Sequence, residues 1–347
     1  MAYLEIKHLQ KSYENKKVLN DINLSVNEGE LVSILGPSGC GKTTTLRIIA
    51  GLLDKDDGEI LLSGNDLSEV PVHKRNLGMV FQSYALFPHL NVFENVAFGL
   101  KMRHLSKNEI QDKVNEILDI TNLFNLKDRY PSELSGGQQQ RVSLARGLVI
   151  KPKLLLMDEP LSNLDAKLRI QMREEIKRLQ NKLGITTIFV THDQEECFAI
   201  SDHVAVMNKG RIEQFDIPQN IYNHPKTKFV ADFIGYENLF EIDSQDTTAG
   251  QYSIAGKKLI SDFSVKNVRY LTIKPDQINI SKNDDDKNNL LSGKIIERIY
   301  LGRGYRYNVK TEIGIIKVDD QNSDDLFNLN DEVFLNLRSH SLLPLSK

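Results

Sequence analysis

Leu31-Val32-Ser33-Ile34-Leu35-Gly36-Pro37-Ser38-Gly39-Cys40-Gly41-Lys42-Thr43 is the stretch on which the fold turns. Its first five residues form a short apolar run, which reads as a buried strand. The next eight match G-x-x-x-x-G-K-[ST], a pattern that cradles nucleotide phosphates when it lies between a strand and a helix. Glycines let backbone N–H groups converge on phosphate oxygens, and the following helix adds the partial positive charge of its N-terminus. Lys42 is then expected to reach β- and γ-phosphates and Thr43 to hold Mg²⁺. The candidate ATP contacts are Gly36, Pro37, Ser38, Gly39, Cys40, Gly41, Lys42, Thr43 and Thr44. Cys40, next to a helix N-terminus, is expected to lean toward thiolate, so that its modification would block nucleotide binding.

Two further strand ends supply chemistry. Leu154-Leu155-Leu156-Met157-Asp158-Glu159 is an apolar run ending in adjacent carboxylates. Side chains alternate along a strand, so the two acids face different tasks. Asp158 suits Mg²⁺ and Glu159 suits taking a proton from an attacking water. His192 follows the apolar run Thr187–Val190, where it can hold a γ-phosphate and the water in place. Standing alone, this histidine would read as structural. Tyr13 lies between two short strand-like runs; its ring can stack on adenine or simply pack.

The surrounding sequence reads as an α/β layer structure through about residue 235. A helical stretch is expected within 88–150, where Ser106 and Glu109 form a capping box ahead of Ile110, Val114, Ile117 and Leu118. A second amphipathic helix follows Asp165, with Leu168, Met172, Ile176, Leu179 and Leu183 in register and Gly184 placed to end it. From 236 to 347 the texture changes to short β-like runs: Arg269–Ile273, Lys294–Ile299, Tyr305–Val309, Ile313–Val318 and Val333–Leu337. Polar clusters separate them, so a small antiparallel barrel or sandwich is expected. One cluster, Asp284 to Asp286, reads as a solvated loop rather than a cation site.

Bulk properties narrow the partners. The 347 residues suffice for two domains, and a net charge of −3 with 26% charged residues gives no global attraction to nucleic acid. The two cysteines, Cys40 and Cys197, have neither zinc-like spacing nor a disulfide framework, which suits a reducing cytosol. Met1–Gln10 lacks the apolar core of a signal peptide, and no run approaches the roughly 18 apolar residues of a membrane span. Any service to a membrane is therefore expected to run through another chain.

Leu134-Ser135-Gly136-Gly137-Gln138 resembles the signature of ABC ATPases, and the resemblance extends along the chain. Tyr13 resembles the family's aromatic A-loop, Gln82 its Q-loop, Ser162-Asn163-Leu164-Asp165 its D-loop and His192 its switch histidine. The resemblance implies a P-loop NTPase core with a helical subdomain, and a head-to-tail homodimer with two ATP molecules between the copies. Ser135, Gly136, Gly137 and Gln138 would serve the partner's nucleotide, and Asp165 of the D-loop would join the nucleotide-binding residues. Gln82 would contact Mg²⁺, sense the γ-phosphate and relay closure to integral membrane permease subunits. The last 110 or so residues resemble the TOBE domain, an OB-like β-domain of importer ATPases, with Ile273-Lys274-Pro275-Asp276 similar to its Ile-Arg-Pro-Glu stretch.

That combination implies an importer ATPase on the cytoplasmic face of a cell membrane, fed by an extracytoplasmic solute-binding protein. Phe233-Ile234-Gly235-Tyr236-Glu237-Asn238-Leu239-Phe240 is closer to polyamine, ferric iron and phosphonate systems than to sugar importers. A soluble ABC protein acting on nucleic acid is the rival reading, disfavoured by the single cassette and short helical insert. Two positions depart from the common pattern: Gly147 and Cys197, each where alanine is usual. Gly147 is expected to weaken its helix by about 1 kcal/mol unless close packing requires it.

Overall fold

The computed structural model describes residues 2–14, 16–246, 250–284, 289–321 and 326–346. The chain divides into two compact units, Met1–Gln219 and Asn220–Lys347.

The first unit runs β1 (Leu4–Tyr13), β2 (Lys16–Val26), β3 (Leu31–Leu35), α1 (Lys42–Ala50), β4 (Asp57–Leu62), β5 (Asn65–Asp66), β6 (Leu77–Val80), α2 (Val92–Met102), α3 (Lys107–Ile120) and α4 (Gly136–Leu148). It continues through β7 (Leu154–Asp158), α5 (Ala166–Leu183), β8 (Thr186–Thr191), α6 (Gln194–Ile200), β9 (His203–Asn208), β10 (Arg211–Asp216) and the start of α7 (Pro218–Asn223). Six strands form a sheet in the order β10-β9-β3-β8-β7-β6, parallel except at β10, and β2-β1-β4-β5 form a second, antiparallel sheet.

The apolar runs follow from covering both faces of the larger sheet. Leu155, Met157 and Phe189 join a core with α2, α3, α4 and α5, whereas Leu154, Leu156, Ile188 and Val190 join a core with α1 and the second sheet. Alternate residues of one strand thus feed two cores. Each fully buried leucine or isoleucine contributes about 1.5–3 kcal/mol.

Helix ends are set locally. Ser106 and Glu109 form the expected capping box on α3, and Asn91 with Glu94 forms another on α2. Asp165 caps α5, and Gly184 ends it at φ 62°. Met172, Ile176 and Leu179 lie in the core as expected, but Leu183 is 40% exposed because its helix stops at the next residue.

The second unit takes in the end of α7, then α8 (Lys228–Phe233), β11 (Asn238–Glu241), β12 (Ser244–Asp246), β13 (Gln251–Ile254), β14 (Lys257–Ile260), β15 (Tyr270–Ile273) and β16 (Ile278–Ser281). β17 (Leu290–Tyr300), β18 (Tyr305–Thr311), β19 (Gly314–Asp320), β20 (Glu332–Leu337) and β21 (Leu343–Leu345) complete it. Its sheets are β11-β15-β21, β12-β13-β14 and β16-β20-β17-β18-β19, antiparallel throughout. They enclose a core that includes Leu271, Ile295, Val309, Leu335 and an edge-to-face pair, Tyr307 on Phe327.

The division falls earlier than the expected boundary after Gly235. Tyr236 Oη donates to the Tyr222 carbonyl at 3.2 Å, Lys274 Nζ sits 2.7 Å from the centre of the Tyr222 ring, and Lys228 Nζ lies 4.6 Å from the centre of the Tyr270 ring, so the two short helices are held by residues of the β-rich unit. The change in sequence texture marks where strands begin, not where the unit begins. Of the acidic cluster, Asp285 and Asp286 lie outside the described residues.

Candidate nucleotide site

The strand β3 delivers the chain into a loop whose glycines are sterically required. A Cβ at Gly36 would strike the Met207 carbonyl, and Gly41 sits at φ 109°, a left-handed backbone that side chains avoid. Lys42, the first residue of α1, is 4% exposed and donates from Nζ to the carbonyls of Gly36 at 2.8 Å and Pro37 at 3.0 Å. Among the described residues it makes no ion pair. A buried ammonium without a carboxylate, beside the N-terminus of α1, is a place prepared for an anion.

At the tip of β7, Asp158 accepts a hydrogen bond from Thr43 Oγ1 at 2.8 Å. Burial pushes the Asp158 carboxyl up, against the opposing influence of that hydrogen bond. A cation beside it would remove the penalty. A hydroxyl and a carboxylate are hard oxygen donors that fit Mg²⁺. Among the described residues no group of three or more His, Cys, Asp or Glu could hold a metal.

Glu159 turns away from its neighbour. Its φ is 44°, a left-handed conformation unusual for a non-glycine residue, and its N–H donates to the Val190 carbonyl at 3.0 Å. The strand-end acids are therefore split by backbone rotation as well as by alternation. Glu159 Oε2 lies 3.1 Å from His192 Nδ1. With the proton on Nδ1, Nε2 remains an acceptor.

Gln82 and the Ser162–Asp165 loop also meet: Asn163 Nδ2 donates to the Gln82 carbonyl at 2.8 Å, and Ser162 Oγ donates to the Glu159 carbonyl at 3.0 Å. Beyond Gln82 the backbone is left-handed at both Tyr84 and Ala85, with φ 61° and 50°. Their carbonyls are held by α4: Ser143 Oγ and Arg146 Nη2 donate to Tyr84 O, and Arg146 Nη1 donates to Ala85 O at 2.6 Å. Nothing in the sequence pattern marked Ser143 or Arg146, because their partners are backbone carbonyls some sixty positions away.

Ser135 caps α4 in a capping box with Gln138, and Gly137 is fixed by packing, since a Cβ there would lie 2.7 Å from Leu168 Cδ1. Among the described residues, no hydrogen bond or ion pair joins residues 135–138 to the phosphate loop. Tyr13 is likewise apart, 46% exposed at the end of β1, with Lys11 Nζ 5.8 Å from its ring centre. Ser38 and Gly39 are exposed at the loop's tip, and Asp165 is exposed at the start of α5.

The expectation for Cys40 is corrected. It is 5% exposed, and burial pushes its thiol up more strongly than the Lys42 charge pulls it down. Proximity to a helix end does not activate a thiol shut away from water. Cys197 is more deeply buried still, its thiol pushed up to about 12 by burial.

Comparison with known proteins agrees with this arrangement. Residues 19–162 match the family model for ABC transporters, and residues 271–345 match that for the TOBE domain. The spermidine/putrescine import ATP-binding protein PotA of Haemophilus influenzae is 47% identical over 307 residues, covering 86% of this chain and 82% of that one. PotA of Vibrio cholerae is 44% identical over 331 residues, covering 93% and 88%. The Fe(3+) ions import ATP-binding protein FbpC 1 of Pectobacterium atrosepticum is 52% identical over 239 residues, covering 69% and 68%. Among solved structures, cbiO1 from Clostridium perfringens, part of the ABC transporter complex cbiONQ, superposes with a TM-score of 0.60 at 32% identity, covering 64% of this chain and 91% of that one. No helix of the described residues is long and apolar enough to cross a membrane. A glycine-bearing loop with a buried lysine, a buried acid beside it, a carboxylate paired with a histidine and a separate, mainly β unit thus share one polypeptide, and the chain belongs to the ABC transporter ATPases that carry a C-terminal TOBE domain.

Proposed function

We propose that this chain is the ATPase subunit of a polyamine importer, working as a homodimer on the cytoplasmic face of a membrane. The observation that carries the cargo is the reach of the similarity. Alignments to the two spermidine/putrescine proteins span 307 and 331 residues, against 239 for the ferric iron protein. The iron relative has the higher identity within its shorter span, so Fe³⁺ is the second reading.

Two copies close head to tail on two ATP molecules. In each site Gly36 to Thr44 surround the phosphates, and the Lys42 ammonium, already desolvated, meets the β- and γ-oxygens. Mg²⁺, held by the Thr43 hydroxyl and the Asp158 carboxylate and neighboured by Gln82, would neutralise charge on the β- and γ-phosphates. Glu159 accepts the proton of the attacking water, and His192, oriented by Glu159, offers Nε2 as an acceptor that holds this water in place at the γ-phosphate. Ser135, Gly136, Gly137 and Gln138 reach across from the other copy, where the N-terminus of α4 favours a phosphate. Tyr13 stacks on adenine, and Asp165 lies at the seam. Closure moves Gln82 and the helices beside it, and permease subunits docked there pass the movement to a solute delivered by an extracytoplasmic binding protein. No nucleic acid takes part.

The test is uptake of labelled spermidine, putrescine and Fe³⁺ by cells lacking their own ATPase for each system, supplied with this chain and its neighbouring permease genes. Polyamine uptake restored by the wild type but not by Ser135→Arg supports both cargo and shared site. Fe³⁺ uptake alone would transfer the assignment to iron, and full activity of Ser135→Arg would overturn the shared site.

A further inference from the structure

We propose that Arg169 is a positioning residue that locks the Ser162–Asp165 loop to the segment carrying His192, so that closure of two copies on ATP sets the Glu159–His192 pair. The inference rests on the dimeric reading above.

Arg169 stands one turn into α5, its N–H donating to the Asp165 carbonyl at 2.9 Å. Its guanidinium reaches two separate segments. Nη2 donates to the Leu164 carbonyl at 3.3 Å, inside the loop, while Nη1 meets Asp193 Oδ2 at 3.3 Å. Nε makes no hydrogen bond, but lies 3.4 Å from Glu196 Oε1 and acts there by charge. Glu196 is 3% exposed, and its other oxygen accepts from Thr191 Oγ1 at 2.6 Å. Thr191 Oγ1 accepts in turn from the Asp193 N–H at 3.0 Å, and Asp193 Oδ1 caps α6 by accepting from the Glu196 N–H. Both neighbours of His192 are therefore tied into the network that Arg169 closes.

At its other end the loop is fastened to Gln82 through Asn163 and to Glu159 through Ser162. The loop thus meets the segments of Gln82 and Glu159 directly, and Arg169 is its link to the segment of the histidine. A planar fork with several donors can meet a carbonyl and two carboxylates at once, whereas a lysine's compact charge favours one. A partly exposed ion pair by itself adds little to stability. Linking two segments that are separate in the chain is the better use of this geometry.

The test compares ATP turnover by the full-length chain with Arg169→Met and Arg169→Lys. Arg169→Met is expected to lower kcat by roughly 3- to 30-fold, the usual range for a coupling residue, with KM and ATP affinity changed by less than about twofold. Arg169→Lys should recover part of that loss. A wild-type kcat in Arg169→Met overturns the assignment; so does an equal loss of kcat, ATP affinity and melting temperature, which would mark a purely structural contact. If Arg169→Met fails to fold, Asp193→Asn keeps the oxygen that caps α6 but removes the charge facing Nη1. It should show a smaller loss confined to kcat, and normal turnover there also overturns the proposal. Failure of the dimeric reading appears elsewhere, as a Glu159→Gln variant that traps no ATP between two copies. Failure of the Arg169 assignment appears as normal turnover in a chain whose Glu159→Gln form does trap it.

Discussion

Among the described residues two lysines are buried to nearly the same depth, Lys42 at 4% exposure and Lys274 at 3%, and their surroundings treat them differently. Lys42 gives hydrogen bonds to two carbonyls that the phosphate loop has turned inward. Lys274 has no hydrogen-bond partner for Nζ among the described residues, only the ring faces of Tyr222 at 2.7 Å and Tyr236 at 4.7 Å. The rings favour the charged amine, and burial disfavours it. Burial prevails, because Asp276, the nearest anionic help, is exposed to water, and the Lys274 pKa falls to about 7. The first unit therefore surrounds its buried amine with acceptors, whereas the second leaves one without them and drives it toward neutrality. Burial alone does not mark a functional lysine; the acceptors arranged around it do.

The comparison is broken most directly at the acids around the phosphate loop. Glu159→Gln should keep ATP affinity and lower turnover by roughly 100- to 10,000-fold, the range for a positioned general base, and should accumulate as an ATP-bound pair. Single-turnover hydrolysis and light scattering measure both, and a near-normal rate would remove Glu159 from the chemistry. Lys42→Ala comes next. Losing charge-assisted hydrogen bonds costs about 1.5–3 kcal/mol, so equilibrium binding of ATP should weaken by about 10- to 100-fold. Unfolding in denaturant without nucleotide should change less than ATP binding does, since two carbonyls lose a donor but no carboxylate is left unpaired. A large loss of stability would mean that Lys42 supports the fold rather than the phosphate.

Lys274 gives the mirror experiment. Its folded pKa of about 7 lies below the ordinary value of 10.5, so between those limits the unfolded chain binds a proton that the folded chain does not. Stability therefore rises with pH from about 7 to about 10 and is flat below 7, with a slope on the order of 1 kcal/mol per pH unit. Lys274→Met should flatten this slope and leave ATP affinity untouched. Urea unfolding of the whole chain by circular dichroism at pH 6.5, 8 and 9.5 separates the cases, and equal slopes in both proteins would show that the rings hold the amine charged.

The contrast also marks how far the residues could be read in advance. Strands β3, β7 and β8 were legible because a run covered on both faces is apolar at every position. Strands β12 and β14 were not, since Ser244–Asp246 and Lys257–Ile260 are short and mostly polar or exposed. Local chemistry singled out Lys42, Thr43, Asp158, Glu159 and His192, whose proposed roles rest on residue type and on position at a strand end or at the helix that follows one. The left-handed backbone of Glu159, the Arg146 grip on Tyr84 and Ala85 and the Arg169 fork depend on contacts between distant segments. Cys40 misled for the same reason, because the packing that buries its sulfur comes partly from β9 through Met207.

Gly147 supplies the smallest expected effect and calibrates the others, since no charge is involved. It lies on α4 facing β6 and β7, and a Cβ there would sit 3.5 Å from Leu155 Cδ1, 3.6 Å from Val80 Cγ2 and 3.8 Å from the Met79 carbonyl. Those are ordinary van der Waals separations, so close packing does not explain the glycine. Gly147→Ala should fill the space in a helix interior and stabilise the chain by about 0.5–1 kcal/mol. The same helix carries Ser135 at its start and Arg146 next to the substitution, so ATP turnover measured alongside thermal unfolding distinguishes two consequences. A stabilised chain with unchanged kcat would show that the helix only needs to be present. A stabilised chain with lower kcat would show that α4 must yield as the site closes, with the glycine retained for that yielding at a cost in stability.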